Sequence, residues 1–194
     1  AHLDTLPAFR KEFLGYRNQQ IRPAFITDAD VEDEARKIYR DTKQQIDANG
    51  GLWHCAHILI GMGQHTSKEE EAAARQLADS IYTALQKDAD FADLAKRYST
   101  DTSSAKNGGD LPRLQKGQTV AEFEKAMLTL KPGETSRPVL SPFGYHIIRM
   151  IGHESLPPYD SLRADIMQYI EMRGLRDQII NQRLDSLVQA GGKD

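Results

Sequence analysis

The stretch that most limits the fold runs from Tyr98 to Leu111. It reads Tyr98-Ser99-Thr100-Asp101-Thr102-Ser103-Ser104-Ala105-Lys106-Asn107-Gly108-Gly109-Asp110-Leu111, polar and rich in Gly, Ser and Thr. Loops this long inside compact domains are uncommon and often functional. Gly108-Gly109 admits backbone angles closed to other residues. Asp101 and Asp110 are short polar side chains of the kind that hydrogen-bond back to nearby amides. Strongly patterned segments flank the stretch, so it reads as a shaped loop rather than a slack tail.

Upstream the pattern is first helical. Leu6, Phe9, Phe13, Tyr16 and Gln20 recur at helical spacing and predict an amphipathic helix over Leu3–Gln20. Pro23 disfavours helix at Arg22. Thr27 is placed to cap a second helix with Asp28, Asp30 and Glu32 in its first turn, where the helix dipole favours acids. Val31, Ala35, Ile38 and Ile46 face one way, and Asn49-Gly50-Gly51 ends the helix. Then the period changes to two. Trp53 to Ile60 predicts a strand with Cys55, His57 and Leu59 on one face and Ala56, Ile58 and Ile60 on the other. Gly61-Met62-Gly63 breaks it. Ser67-Lys68-Glu69-Glu70 reads as a capping box for a helix buried through Ala73, Leu77, Ile81 and Leu85. Asp90 caps a shorter helix with Phe91, Leu94, Ala95 and Tyr98 inward.

Downstream, Val120, Phe123, Glu124 and Met127 suggest a short helix and Lys131-Pro132-Gly133-Glu134 a turn. Thr135–Leu140 and Tyr145–Ile151 read as strands joined through Ser141-Pro142-Phe143-Gly144, with His146, Ile148 and Met150 on one face. After Pro157-Pro158 a long helical pattern runs from Tyr159 to about Ala190, bent at Gly174 and ended by Gly191-Gly192. The order is that of an α+β unit, a small sheet carrying helices. The division expected is an N-terminal helical arm (1–52), a module (53–153) and a C-terminal helical arm (154–194). The arms either pack on each other or are stubs whose partners lie elsewhere.

Composition excludes several classes. The formal net charge is -3 over 194 residues, and Lys and Arg are interspersed, without the clustered footprint of a nucleic-acid binder. No apolar run reaches the roughly 18 residues of a membrane span. The single cysteine, Cys55, rules out an internal disulfide, which suits a cytosolic protein or an envelope protein that avoids stray thiols. His54 and His57 point to opposite faces of a strand, and one Cys cannot build a closed zinc site. No metal and no cofactor is expected. Cys55 and His57 share a face, but a buried, inert Cys is the commoner reading than a nucleophile. What remains is His57, His146, Asp101, Ser141 and several Ser and Thr. Two histidines on different strands, each among apolar neighbours, can share a hydrogen-bond network if those strands are adjacent. Periodicity does not establish that adjacency.

At these residues the chain resembles the parvulin-type peptidyl-prolyl cis-trans isomerases. The resemblance rests on Ala56-His57-Ile58-Leu59-Ile60, then Phe91-Ala92-Asp93-Leu94-Ala95 running into Tyr98-Ser99-Thr100-Asp101. It continues through Gly108-Gly109-Asp110-Leu111, Phe123-Glu124-Lys125-Ala126 and Lys131-Pro132-Gly133-Glu134 to Phe143-Gly144-Tyr145-His146-Ile147-Ile148. Each motif is weak; together, in order, they are specific. They cover the module and leave both arms unexplained. The resemblance implies a four-stranded antiparallel sheet covered by helices, with the first and last strands side by side. It makes His57 and His146 the paired histidines, Asp101 the group facing the twisting imide and Ser141 the hydroxyl beside the histidines. It puts Leu111, Thr119 and Phe123 on a proline pocket and Phe143 at its rim.

The same resemblance implies an isomerase or foldase acting on unfolded or extended proline-containing polypeptides. The alternative is a weakly active or inactive chaperone that holds such clients. A parvulin module between helical segments looks like the SurA-type and PrsA-type envelope foldases, here of Bacteroidetes type. The expectation is thus a periplasmic or cell-envelope protein, of which this chain, without a signal peptide in its numbering, is a fragment. Two departures stand out. Pro112 and Arg113-Leu114 replace the usual Gly and aromatic after Gly-Gly-Asp-Leu, and Thr119 stands where Met is frequent. Gly61 to Thr66 carries no Arg or Lys cluster, so selection for phosphoserine before proline is not expected.

Overall fold

The structure is a computed structural model that describes residues 27–191. The helix expected over Leu3–Gln20 and the break at Pro23 lie outside the described residues. The described elements are α1 (Asp28–Ala48), β1 (Leu52–Gly61), α2 (Lys68–Leu85), α3 (Phe91–Tyr98), α4 (Thr102–Ala105), α5 (Ala121–Thr129), β2 (Val139–Ser141), β3 (Gly144–Glu154), α6 (Tyr159–Met172) and α7 (Leu175–Gly191). The chain divides into two compact units, Gln45–Leu156 and a helical unit made of residues up to Gln44 together with those from Pro157.

In the unit Gln45–Leu156 the sheet order is β1-β3-β2. β1 and β3 pair antiparallel from Leu52↔Glu154 to Gly61↔Gly144, with an irregularity between His54 and Cys55. The period of two holds along β1. Ala56, Ile58 and Ile60 pack with Tyr145 and Ile147 of β3 against Ala78, Ile81, Phe91 and Ala95 of α2 and α3. Trp53 and Cys55 pack on the other face with Ile148, Met150 and α5's Phe123 and Met127. The sheet is therefore covered on both faces, and β1 and β3 carry buried apolar residues on each.

Caps follow the sequence closely. Ser67 and Glu70 form the reciprocal capping box of α2, and the Asp90 side chain accepts from Asp93 N–H. The buried row of α2 keeps the expected Ile81 and Leu85, but its first half is displaced by one residue. Ala74, Ala78, Ile81 and Leu85 face the sheet, while Ala73 is exposed and Leu77 is 36% exposed. Alanines on the inner row let the helix lie close to the strands. Tyr98, expected inward, is also exposed, because the helix ends there and the extended Ser99 turns the chain back toward β1.

The sheet has three strands, not the four expected. The segment that follows Gly109 does run along β1's outer edge. His57 N–H donates to Gly109 C=O, Leu111 N–H to Cys55 C=O, and Trp53 and Leu114 exchange both backbone bonds. The pairings Ala56↔Asp110 and Trp53↔Leu114 leave one extra residue on the outer side, at Pro112-Arg113. Proline has no N–H to give a ladder, and an inserted residue bulges the backbone away. The result is isolated bridges rather than a strand. The strand expected over Thr135–Leu140 shortens to Val139–Ser141 for a related reason. Pro138 interrupts it, and Ser136 Oγ takes the Ile148 N–H that a backbone carbonyl would take in a regular ladder.

In the helical unit, Val31 and Ala35 of α1 are buried with Tyr159 and Ile170 of α6. The described part of the front arm therefore packs on the back arm. Glu32 sits at their junction, accepting from Tyr159 Oη–H at 2.9 Å and from Arg163 Nε–H at 2.9 Å. The long C-terminal helix is two helices, α6 and α7, broken rather than bent at Gly174, whose φ is +62°.

Gly109 (φ +83°) shows what the tight reversal demands: a Cβ there would lie 2.3 Å from the His57 carbonyl oxygen, whereas one at Gly117 (φ +86°) would meet nothing within 4 Å. Both alanine variants pay about 1 kcal/mol for the left-handed backbone, and only Gly109→Ala also pays the clash. Urea unfolding is expected to show Gly109→Ala less stable than Gly117→Ala by at least about 2 kcal/mol. Equal losses would mean that the loop does not close on β1 as described.

Candidate active site

The face of β1 and β3 that meets α5 carries two imidazoles. Register places His57 opposite Ile148 and His146 opposite Leu59, so the two histidines are diagonal neighbours on one face. Their ring centroids lie 5.5 Å apart with an interplanar angle of 23°, and Nδ1 of each faces the other at 3.3 Å. Phe123 of α5 meets both rings edge to face, at 5.9 Å from His57 and 5.5 Å from His146. Both histidines and Phe123 are buried.

The polar stretch brings in the acid. Ser99 Oγ accepts from Leu59 N–H, Thr100 N–H donates to Leu59 C=O, and Thr100 Oγ1 accepts from Gly61 N–H. Downstream, Gly109 C=O takes the His57 N–H. The loop is thus tied to β1 on both sides of His57, and Asp101 Oδ2 arrives 2.7 Å from His57 Nε2. The loop also contains a helical turn, α4, which the sequence pattern did not reveal. Asp101 is its N-cap residue but does not cap it. Its carboxylate instead accepts from Ser103 Oγ–H at 2.5 Å and Ser104 Oγ–H at 2.6 Å. Burial opposes ionisation of Asp101, yet the hydrogen bonds from Ser103, Ser104 and His57 outweigh it and hold the carboxyl well below the usual range.

The hairpin supplies the other end. Ser141 Oγ lies 2.7 Å from His146 Nε2 and accepts from Phe143 N–H at 3.1 Å. Burial, and then the neighbouring His57, push His146 down to about 4, so its ring is neutral at neutral pH. With one proton placed on each ring, these distances fit the following order. The carboxylate of Asp101 accepts from His57 Nε2–H, leaving His57 Nδ1 as an acceptor. His146 Nδ1–H donates to it, leaving His146 Nε2 to accept from Ser141 Oγ–H. Every proton of the chain is spent inside it.

All four residues expected to be catalytic therefore meet in one network. Of the four expected at a proline pocket, Leu111 and Phe123 share the cluster built on Trp53, Cys55, Met127, Ile148 and Met150. Phe143 holds the hairpin by its backbone, its C=O taking Met62 N–H, and its side chain is 59% exposed. Thr119 precedes α5, with its hydroxyl buried and unpaired. Ser103 and Ser104 were not singled out in the sequence; the only signal for them there is hydroxyls two and three residues after an Asp. Cys55 is buried with its thiol pushed up to about 11 by burial, so the nucleophile reading has no support. Among the described residues no three His, Cys, Asp or Glu side chains converge to hold a metal ion.

Residues 57–152 match the rotamase family, described as the PPIC-type PPIASE domain. Over 53% of its length the chain is 38% identical to the parvulin NmPin of Nitrosopumilus maritimus, covering 98% of that solved structure with a TM-score of 0.43. Residues 57–152 are a parvulin-type peptidyl-prolyl isomerase domain. The chain is also 35% identical over 160 residues to the foldase protein PrsA of Caldanaerobacter subterraneus subsp. tengcongensis, spanning 82% of this chain and 46% of that protein. It is 39% identical over 146 residues to the chaperone SurA of Chromobacterium violaceum, spanning 69% of this chain and 33% of that protein. The matched part is thus less than half of either curated relative.

The lowered His146 value has a consequence for stability. The unfolded chain binds a proton at His146 below about 6.5, while the folded chain does so only near 4. Between these values the unfolded state holds more protons, so stability falls as pH drops from about 6.5 to 4. Urea unfolding across this window is expected to show that loss, and His146→Asn to remove part of it. A wild-type slope retained in His146→Asn would assign the loss to other groups.

Proposed function

We propose that this chain is a peptidyl-prolyl cis-trans isomerase that acts on unfolded or extended, proline-containing polypeptides without covalent chemistry. The observation that carries the reading is the continuous network Ser141–His146–His57–Asp101 lying edge-on to Phe123. Isomerisation breaks no bond; its barrier of about 18–20 kcal/mol for an ordinary peptide bond comes from amide resonance. Lowering that barrier takes a dry apolar surface for the ring and fixed dipoles that favour the twisted imide over the planar one. Phe123 and Leu111 supply apolar surface, Phe143 an exposed aromatic rim, and Thr119 a smaller, more polar wall. Asp101 and the imidazoles supply a field that needs no rearrangement as the imide twists.

The foldase PrsA and the chaperone SurA among the relatives support polypeptide clients and a periplasmic or cell-envelope setting. No helix among the described residues is long and apolar enough to cross a membrane. The division into an N-terminal arm (1–52), an isomerase domain (53–153) and a C-terminal arm (154–194) is part of the same proposal. A second reading, a client-binding chaperone with little turnover, draws on the bulge at Pro112 and the unpaired Thr119 hydroxyl.

A cis/trans assay on a proline peptide, run beside aggregation suppression of an unfolded protein, separates the two. Turnover is expected in the wild type, with kcat/KM falling about tenfold or more, about 1.4 kcal/mol or more, in Phe123→Ala and Asp101→Ala. Background turnover with client binding intact would select the chaperone. Full activity in Asp101→Ala would remove that residue from the mechanism.

A further inference from the structure

Ser104 is 4% exposed, among the few polar side chains in the unit that are buried to this degree. Its hydroxyl reaches Asp101 Oδ2 at 2.6 Å, the same oxygen that faces His57 Nε2 at 2.7 Å. Its carbonyl accepts from both Asn107 N–H and Gly109 N–H, and Gly109 C=O in turn takes the backbone N–H of His57. One residue is therefore linked to His57 by two routes, through the Asp101 carboxylate and through Gly109. Ser103 differs: it is exposed and reaches only the other oxygen, Oδ1.

We infer that Ser104 is a positioning residue of the isomerase site, fixing Asp101 as an oriented anion and thereby setting the proton order of the whole histidine network. The inference rests on the isomerase reading for its functional meaning, but its physical content does not depend on turnover. A carboxylate that accepts several hydrogen bonds is held ionised and in one rotamer. The Ser104 hydroxyl has one proton. Spent on Oδ2, it leaves that oxygen a lone pair directed at His57. An anion so placed holds a proton on His57 Nε2. With one proton on each ring, this assignment leaves His57 Nδ1 as acceptor, His146 Nδ1 as donor and His146 Nε2 as acceptor from Ser141. Each step is dictated by the one before, and the first is dictated at Asp101. Without the Ser104 proton, Asp101 keeps one inner partner fewer and its carboxylate gains freedom to turn toward its usual role as an N-cap. His57 then loses the constraint on its tautomer.

The test uses the whole chain and reads the network directly. In the wild type, long-range ¹H–¹⁵N correlations are expected to show His57 with its proton on Nε2 and His146 with its proton on Nδ1. A wild-type His57 protonated on Nδ1 overturns the inference before any variant is made. In Ser104→Ala the His57 signals are expected to move toward a mixture of tautomers. The Asp101 carboxyl carbon is expected to titrate at least one pH unit higher, and the acid limb of kcat/KM to follow it upward. Ser103→Ala, which removes a proton from the outer oxygen, is expected to leave the His57 tautomer in place. Ser104→Thr, which keeps the hydroxyl, is expected to restore the wild-type pattern, whereas an unchanged tautomer and Asp101 titration in folded Ser104→Ala would overturn the inference. If Ser104→Ala does not fold, Ser104→Cys, with its weaker donor, carries the same two readouts. A chain with no isomerase turnover but with these shifts would end the isomerase reading and leave the positioning role standing.

Discussion

The ladder between β1 and β3 is the constraint on which the site depends. It sets His57 opposite Ile148 and His146 opposite Leu59, and a slip of one residue would carry each strand's set of side chains to the opposite face. The register is held from both sides. Ile58, Ile60 and Ile147 belong to one core and Cys55, Ile148 and Met150 to the other, so no slip keeps both faces packed. The bulge between His54 and Cys55 absorbs the one irregularity before the strand reaches His57. Apolar packing on two faces thus fixes the relation of two polar rings.

The polar stretch is the second level of the same construction. It has too little apolar surface to hold itself, apart from buried Ala105, and it is held by backbone bonds to β1 at Leu59, Gly61 and His57. Close approach at those points requires glycine: a Cβ at Gly61 would lie 2.6 Å from Thr100 Oγ1, and one at Gly109 would strike the His57 carbonyl. The loop ends are anchored on the strand that carries the histidine, so Asp101 is placed relative to His57 and not merely near it. The half-buried charge this creates is satisfied locally by Ser103, Ser104 and His57.

Much of this was legible in the residues. The period of two over Trp53–Ile60, the capping box at Ser67 and Glu70 and the cap at Asp90 each rest on chemistry within one turn or one strand, and local chemistry is written in local sequence. In α2 Ile81 and Leu85 face the core as expected, but Ala73, Leu77 and Ala74, Ala78 are both plausible continuations of that stripe; the choice is made by how close the sheet lies. Tyr98 was read inward because periodicity does not know where a helix stops. The missing fourth strand follows from a residue already flagged, Pro112, but the size of its effect depends on the register that β1 imposes on the segment beside it.

What the sequence determined by itself is the inventory and its spacing: two histidines on separate strands, a polar stretch with glycines at its reversal, an Asp followed by hydroxyls, and ordered motifs that mark a parvulin domain. What only the tertiary structure decided is the hydrogen-bond path through Asp101, His57, His146 and Ser141, and the entry of Ser104 into it. The reason is geometric. A hydrogen bond is lost beyond a few tenths of an ångström of displacement, and contacts spanning 44 and 89 positions are aligned that finely only after the sheet has closed.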